Sequence, residues 1–181
     1  MAALRDDIDP DGLLEFSVVF TDRSLNHMSA AFQQVMRDIS ETLKGVYNAH
    51  SVAVVPGGGT YAMEAVARQL AGGESVMVIR NGWFSYRWTQ IFEAAKLPAE
   101  EVVMPARRAG NSDDSPFAPA PVEEVVAKIR AARPAVVFAA HVETASGMIL
   151  PDDYISSVAQ AAHEVGSLFV LDCIASGCAW V

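Results

Sequence analysis

Five short aliphatic runs punctuate this chain, at residues 52–55, 75–79, 102–104, 135–139 and 168–171, and they are close to continuously apolar rather than alternating. A strand wet on one face shows a polar residue at every second position. Unbroken runs are instead expected of parallel strands covered on both faces. Stretches with helical spacing separate them, at 61–70, 84–95, 121–132 and 151–165. Such alternation predicts βαβ units, hence an α/β fold with three layers, α/β/α, around a mostly parallel sheet.

Ahead of the first run, apolar residues recur from Leu25 through Met28, Phe32, Val35, Met36, Ile39 and Leu43, which predicts one amphipathic helix capped by Gly45. The first twenty residues are acidic and broken by Pro10 and Gly12, so residues 1–20 read as an arm and 21–181 as the domain. Residues 105–121, rich in proline, aspartate and glycine, read as a long loop, either a surface excursion or a functional flap.

With 181 residues, 51% of them apolar, the chain can bury a core that needs no covalent staples. Cys173 and Cys178 are therefore not a disulfide framework. A net charge of −9 repels phosphate backbones and anionic lipid surfaces, so neither a nucleic-acid nor a membrane partner is expected. No apolar run approaches a spanning helix, and acids occupy the place of a signal peptide's apolar region. The expected address is the cytoplasm.

Open α/β sheets bind ligands beyond the carboxyl ends of their strands. After the first run comes Pro-Gly-Gly-Gly-Thr-Tyr-Ala, residues 56–62, which opens a helix and so places free N–H groups and a positive dipole end at one point. That is an anion pocket. Gly57, Gly59 and Ala62 also satisfy the dinucleotide spacing G-x-G-x-x-A, with Arg80 placed where it could meet a 2′-phosphate, so an NADP-binding Rossmann-like module is an alternative. A tight turn with no ligand is the blander one.

The second run leads into Asn-Gly-Trp-Phe-Ser-Tyr-Arg-Trp, residues 81–88, whose rings suit either a planar ligand or the space between helix and sheet. The fourth leads into His-Val-Glu-Thr-Ala-Ser-Gly, residues 141–147, where polar groups are costly unless they bind a ligand or one another. No metal is expected, because the Pro-Cys-x-x-Cys that accompanies His-x-Glu in zinc deaminases is absent. The fifth run ends on Asp172, a carboxylate that requires a cation or strong donor; a protonated ring nitrogen would serve.

These four segments, in this order over residues 51–177, resemble the large domain of the fold-type I, class V aminotransferases that use pyridoxal 5′-phosphate, and are most similar to the alanine–glyoxylate and serine–pyruvate branch. The resemblance implies that Gly58, Gly59 and Thr60 hold the cofactor phosphate. It implies that Phe84 and Ile174 flank the pyridine ring, that Thr144 bonds the ring hydroxyl, and that Asp172 keeps the ring nitrogen protonated. It further implies an amino-group transfer between a small amino acid and a 2-oxo acid such as pyruvate or glyoxylate, in a homodimer. A lyase or cysteine-desulfurase relative would share the cofactor and cleave another bond.

The family's Schiff-base lysine stands some way beyond the aspartate of the Asp172 type, and neither Lys44, Lys96 nor Lys128 fills that place. The resemblance therefore implies a lysine beyond Val181, no catalytic residue within these 181, and a chain that is the amino-terminal part of a longer enzyme, inactive alone.

Overall fold

The computed structural model describes residues 27–28 and 30–177. They fall into two compact units, one ending at Pro56 and one beginning at Gly57. The arm expected at residues 1–20 lies outside the described residues, as does Cys178.

The first unit contributes one helix, α1 (Ala30–Tyr47), none of whose side chains is buried. Gly45 does not end it. The chain passes through Gly45 in helical conformation, and Asn48 takes the left-handed turn at φ 47° while the Ala49 N–H returns to the Lys44 carbonyl at 3.0 Å. Asparagine tolerates that conformation, so the stop signal stands three residues further on. The strand expected at 52–55 is absent. A strand is made by its neighbour, which must take up its N–H and C=O groups, and no described segment pairs with these residues.

In the second unit the order is α2 (Gly59–Leu70), β1 (Ser75–Arg80), α3 (Trp83–Ala95), β2 (Glu100–Pro105), β3 (Arg107–Arg108), β4 (Phe117–Ala118), α4 (Val122–Ala132), β5 (Val136–Ala140), β6 (Val142–Glu143), β7 (Met148–Ile149), α5 (Asp152–Glu164) and β8 (Leu168–Asp172). Four strands form one parallel sheet in the order β2-β1-β5-β8, with Val76 opposite Val136 and Val136 opposite Leu168.

The continuous apolar runs are explained by the two layers they separate. Val76, Val78, Val136 and Phe138 point to one face and pack with Met63 and Ala67 of α2 and Trp88 and Phe92 of α3. Met77, Ile79, Val137 and Ala139 point to the other, against Val125 and Ile129 of α4 and Tyr154 and Val158 of α5. The Trp88 and Phe138 rings lie 4.6 Å apart, a contact contributing about 1 kcal/mol beyond the area buried. The architecture is thus the three-layer α/β/α arrangement expected.

The connection leaving β1 runs through α3 to β2 on one face, and that leaving β5 runs through α5 to β8 on the other. Leaving in opposite directions, they open a crevice between the carboxyl ends of β1 and β5, where sheets of this kind hold ligands. The long loop at 105–121 is partly ordered, since β3 and β4 pair antiparallel within it. No helix among the described residues is long and apolar enough to cross a membrane.

Candidate functional site

The crevice is closed by a carboxylate. β6 and β7 form a hairpin directly after β5, and it delivers Glu143, 1% exposed, to the start of α3. Its oxygens accept the Phe84 N–H at 3.0 Å, the Ser85 N–H at 2.8 Å and the Ser85 hydroxyl at 2.7 Å. An anion at the positive end of a helix, fully hydrogen-bonded, is tolerated at this depth where an unpaired one would not be. Gly82 makes the approach possible: a Cβ there would stand 2.6 Å from Glu143 Cγ.

The amino end of α2 is different. The Gly58 carbonyl accepts the N–H groups of Tyr61 and Ala62 at 2.9 and 3.3 Å, and no side chain caps the helix. The Gly59 and Thr60 amides have no hydrogen-bond partner among the described residues. Of two helix starts on this rim, one is neutralised by the protein's own carboxylate and the other is open to an anion.

Gly59 meets the end of β8. A Cβ on Gly59 would fall 2.1 Å from Ile174 Cδ1, so the side chain after the strand reaches over the helix start only because residue 59 lacks one. Gly59, Asp172 and Ile174 line one cavity of about 290 Å³, with Met63, Trp88 and Cys173. The Trp88 Nε1–H in its wall is buried and finds no acceptor among the described residues. Asp172 Oδ1 accepts the Ile174 N–H at 3.0 Å, which leaves its second oxygen without a hydrogen bond among the described residues.

Phe84 faces the same helix start through a third residue. Arg87, one turn along α3, donates to Thr60 Oγ1 at 2.9 Å and lays its guanidinium 5.3 Å from the Phe84 ring centre. Trp83 turns the other way, onto Tyr86 at 5.9 Å and into a cavity with Arg80, Pro105 and Phe117. Thr144, on the exposed turn between β6 and β7, has no hydrogen bond among the described residues, while its neighbour Glu143 bonds the start of α3.

Beneath the Asp172 turn, the His141 Nδ1 lies 2.8 Å from the Ser176 hydroxyl, and the His141 N–H donates to the Asp172 carbonyl at 2.9 Å. Burial pushes the Cys173 thiol above its ordinary range, the Asp172 charge adds to the effect, and a Ser176 hydrogen bond opposes it. Such a shift disfavours the thiolate, which is the nucleophilic form.

The structure therefore brings Gly58, Gly59, Thr60, Asp172 and Ile174 to one rim, with Phe84 joined to it by Arg87. Sequence reasoning assigned no role to Glu143, Ser85, Arg87 or Ser176. The available signal was the cost of burying polar groups straight after β5, which His141 and Glu143 meet by bonding Ser176 and the α3 amides.

The chain is 27% identical over 154 residues to a soluble hydrogenase small subunit of Synechococcus sp. (strain PCC 6716), covering 84% of this chain and 38% of that protein. It is 27% identical over 150 residues to the L-aspartate–glyoxylate aminotransferase of Paracoccus denitrificans (strain Pd 1222), covering 81% and 36%. The crystal structure of an alanine–glyoxylate aminotransferase from Nostoc sp. superposes with a TM-score of 0.67 at 26% identity, covering 84% of this chain and 38% of that one. The chain spans well under half the length of the curated relatives it matches. The family model Aminotransferase class-V matches residues 15–177, and with this sheet and this rim the chain belongs to that family.

Proposed function

We propose that this chain forms the cofactor-binding part of a pyridoxal 5′-phosphate-dependent aminotransferase that moves an amino group between a small amino acid and a 2-oxo acid of the pyruvate or glyoxylate type. One observation carries the reading: Gly59, whose amide at the start of α2 is unpartnered among the described residues, and Asp172, the half-satisfied carboxylate at the end of β8, line a single cavity.

The donor set fits that cofactor. Two free amides at a positive helix end suit a phosphate dianion. An aspartate with a spare oxygen suits a protonated ring nitrogen. The space opened by the missing Cβ of Gly59 admits Ile174 as one wall for a flat ring, and Phe84 supplies an aromatic surface on the neighbouring helix.

When bound, pyridoxal phosphate supplies the electron sink for the pair left as the substrate's α-proton departs. The work of this chain's residues is to bind and to orient. Gly58, Gly59 and Thr60 anchor the phosphate through backbone N–H groups and the Thr60 hydroxyl. Asp172 accepts the ring N–H and so favours the protonated nitrogen. Thr144 donates to the ring hydroxyl, and Glu143 fixes the start of α3 so that Phe84 keeps its place. Lys96 ends α3 and Lys128 lies on α4, neither among the cavity residues, so no proton transfer is assigned to them. The same reading takes the working assembly to be a cytoplasmic homodimer.

The NADP alternative asks the glycine loop and Arg80 to hold one ligand, yet Arg80 lines a cavity that contains none of Gly58, Gly59 or Thr60. No observation favours it. A visible-spectrum titration of the purified chain with pyridoxal 5′-phosphate tests the proposal. Saturable binding at one site, undisturbed by NADPH, is expected; displacement by NADPH, or no saturation, would overturn it.

A further inference from the structure

Arg87 takes no part in the site implied by the family resemblance, yet it touches two of that site's residues. Its Nη1 is 2.9 Å from Thr60 Oγ1, across 27 positions of sequence. A guanidinium has only donors, so the Thr60 oxygen must accept, and the single hydroxyl proton remains to be given to something else. Thr60 is the second residue of α2, its own amide and that of Gly59 unpartnered among the described residues, and its side chain lines the groove it shares with Arg87, so that proton stands one residue from the Gly59 amide.

The charge on Arg87 is also unspent. The carboxylate that lines its groove, Glu64, is taken by Arg68 at 2.6 Å, and Arg87 forms no ion pair among the described residues. Stacking on the Phe84 ring fixes the direction of the side chain toward Thr60.

We infer that Arg87 is a positioning residue for a phosphate monoester at the start of α2, setting through Thr60 which way the hydroxyl donates and adding a nearby positive charge. This rests on the cofactor reading above. It goes beyond that reading by assigning the selectivity for a phosphorylated over an unphosphorylated ligand to a residue that does not itself need to touch the ligand.

Equilibrium dialysis of the full chain against pyridoxamine 5′-phosphate and against pyridoxamine tests it, since neither ligand has an aldehyde to react with surface lysines. The ratio of the two affinities reads the phosphate alone. Wild type should favour the phosphorylated ligand; Arg87→Met should lower the ratio about tenfold, the worth of one charge-assisted hydrogen bond, and Arg87→Lys should restore part of it. Thr60→Val should lower the ratio as well, and Arg87→Met on that background should add little. An unchanged ratio in Arg87→Met, including one in which both ligands weaken alike, overturns the inference. So does a full additional loss in the double variant. A wild-type chain that does not discriminate between the ligands removes the phosphate site itself, and the inference with it.

Discussion

The Glu143 Oε1 accepts the backbone N–H of Phe84 at 3.0 Å. The bond joins the turn after β5 to the helix after β1, across the crevice between those strands, and its companions to the Ser85 N–H and hydroxyl use the second oxygen. A glutamine is the same size but offers one acceptor oxygen and an NH₂, which must oppose at least one of these donors. Glu143→Gln should therefore destabilise the chain by about 1.5–3 kcal/mol, seen as a lower urea midpoint at unchanged slope. A midpoint equal to wild type would show that the buried carboxylate does not organise α3.

Gly59 and Gly82 make the same substitution cost different amounts. At Gly59 the new methyl meets only the tip of Ile174, a side chain 69% exposed and free to turn away. At Gly82 it meets the Cγ and carboxyl carbon of Glu143 at 2.6 and 2.7 Å, both buried and held by three hydrogen bonds. Gly59→Ala should keep stability within about 1 kcal/mol of wild type while weakening pyridoxamine 5′-phosphate binding. Gly82→Ala should cost about 2–3 kcal/mol. Thermal unfolding of the two variants side by side checks the order.

Tyr154 ties α5 to the end of the long loop through a hydrogen bond from its hydroxyl to the Ala120 carbonyl at 2.9 Å. Burial pushes its pKa from 10.0 up to about 12. The folded state thus keeps a proton that the unfolded chain gives up, so the stability contributed by neutral Tyr154 is full below pH 10 and is lost as pH rises from 10 to 12. Solvent reaching the ring edge screens part of this, and the loss should be about 1–2 kcal/mol. Tyr154→Phe has no such proton, and its stability should fall less steeply over the same window in alkaline denaturation.

Asp172→Asn separates the two ends of the proposed ligand. The neutral amide lacks the charge that favours a protonated ring nitrogen, but it leaves the start of α2 untouched. Affinity for both pyridoxamine and its phosphate should drop together, by about tenfold, with their ratio preserved. A change in the ratio instead would place Asp172 near the phosphate rather than the ring.

The four strands of the main sheet and helices α2 to α5 are legible in the sequence to within a few residues, because each is declared by its own period and each side of the sheet has a helix to cover it. Residues 52–55 carry the same chemistry but lack a neighbouring strand among the described residues, and strand formation depends on that neighbour. The two-residue ladders β3–β4 and β6–β7 are too short to show any period. At the candidate site, the positions of Gly59, Thr60 and Asp172 beside helix and strand ends are legible from the sequence. Glu143 and Arg87 are not, since their roles are contacts across 59 and 27 positions that no local pattern encodes.

A crystal structure of the chain grown with pyridoxamine 5′-phosphate tests the convergence of these turns most directly. The expected result is the phosphate on the Gly59 and Thr60 amides, the ring between Phe84 and Ile174, and its nitrogen within hydrogen-bond distance of Asp172. A phosphate seated elsewhere, or a ring that leaves the Asp172 carboxylate untouched, would contradict it.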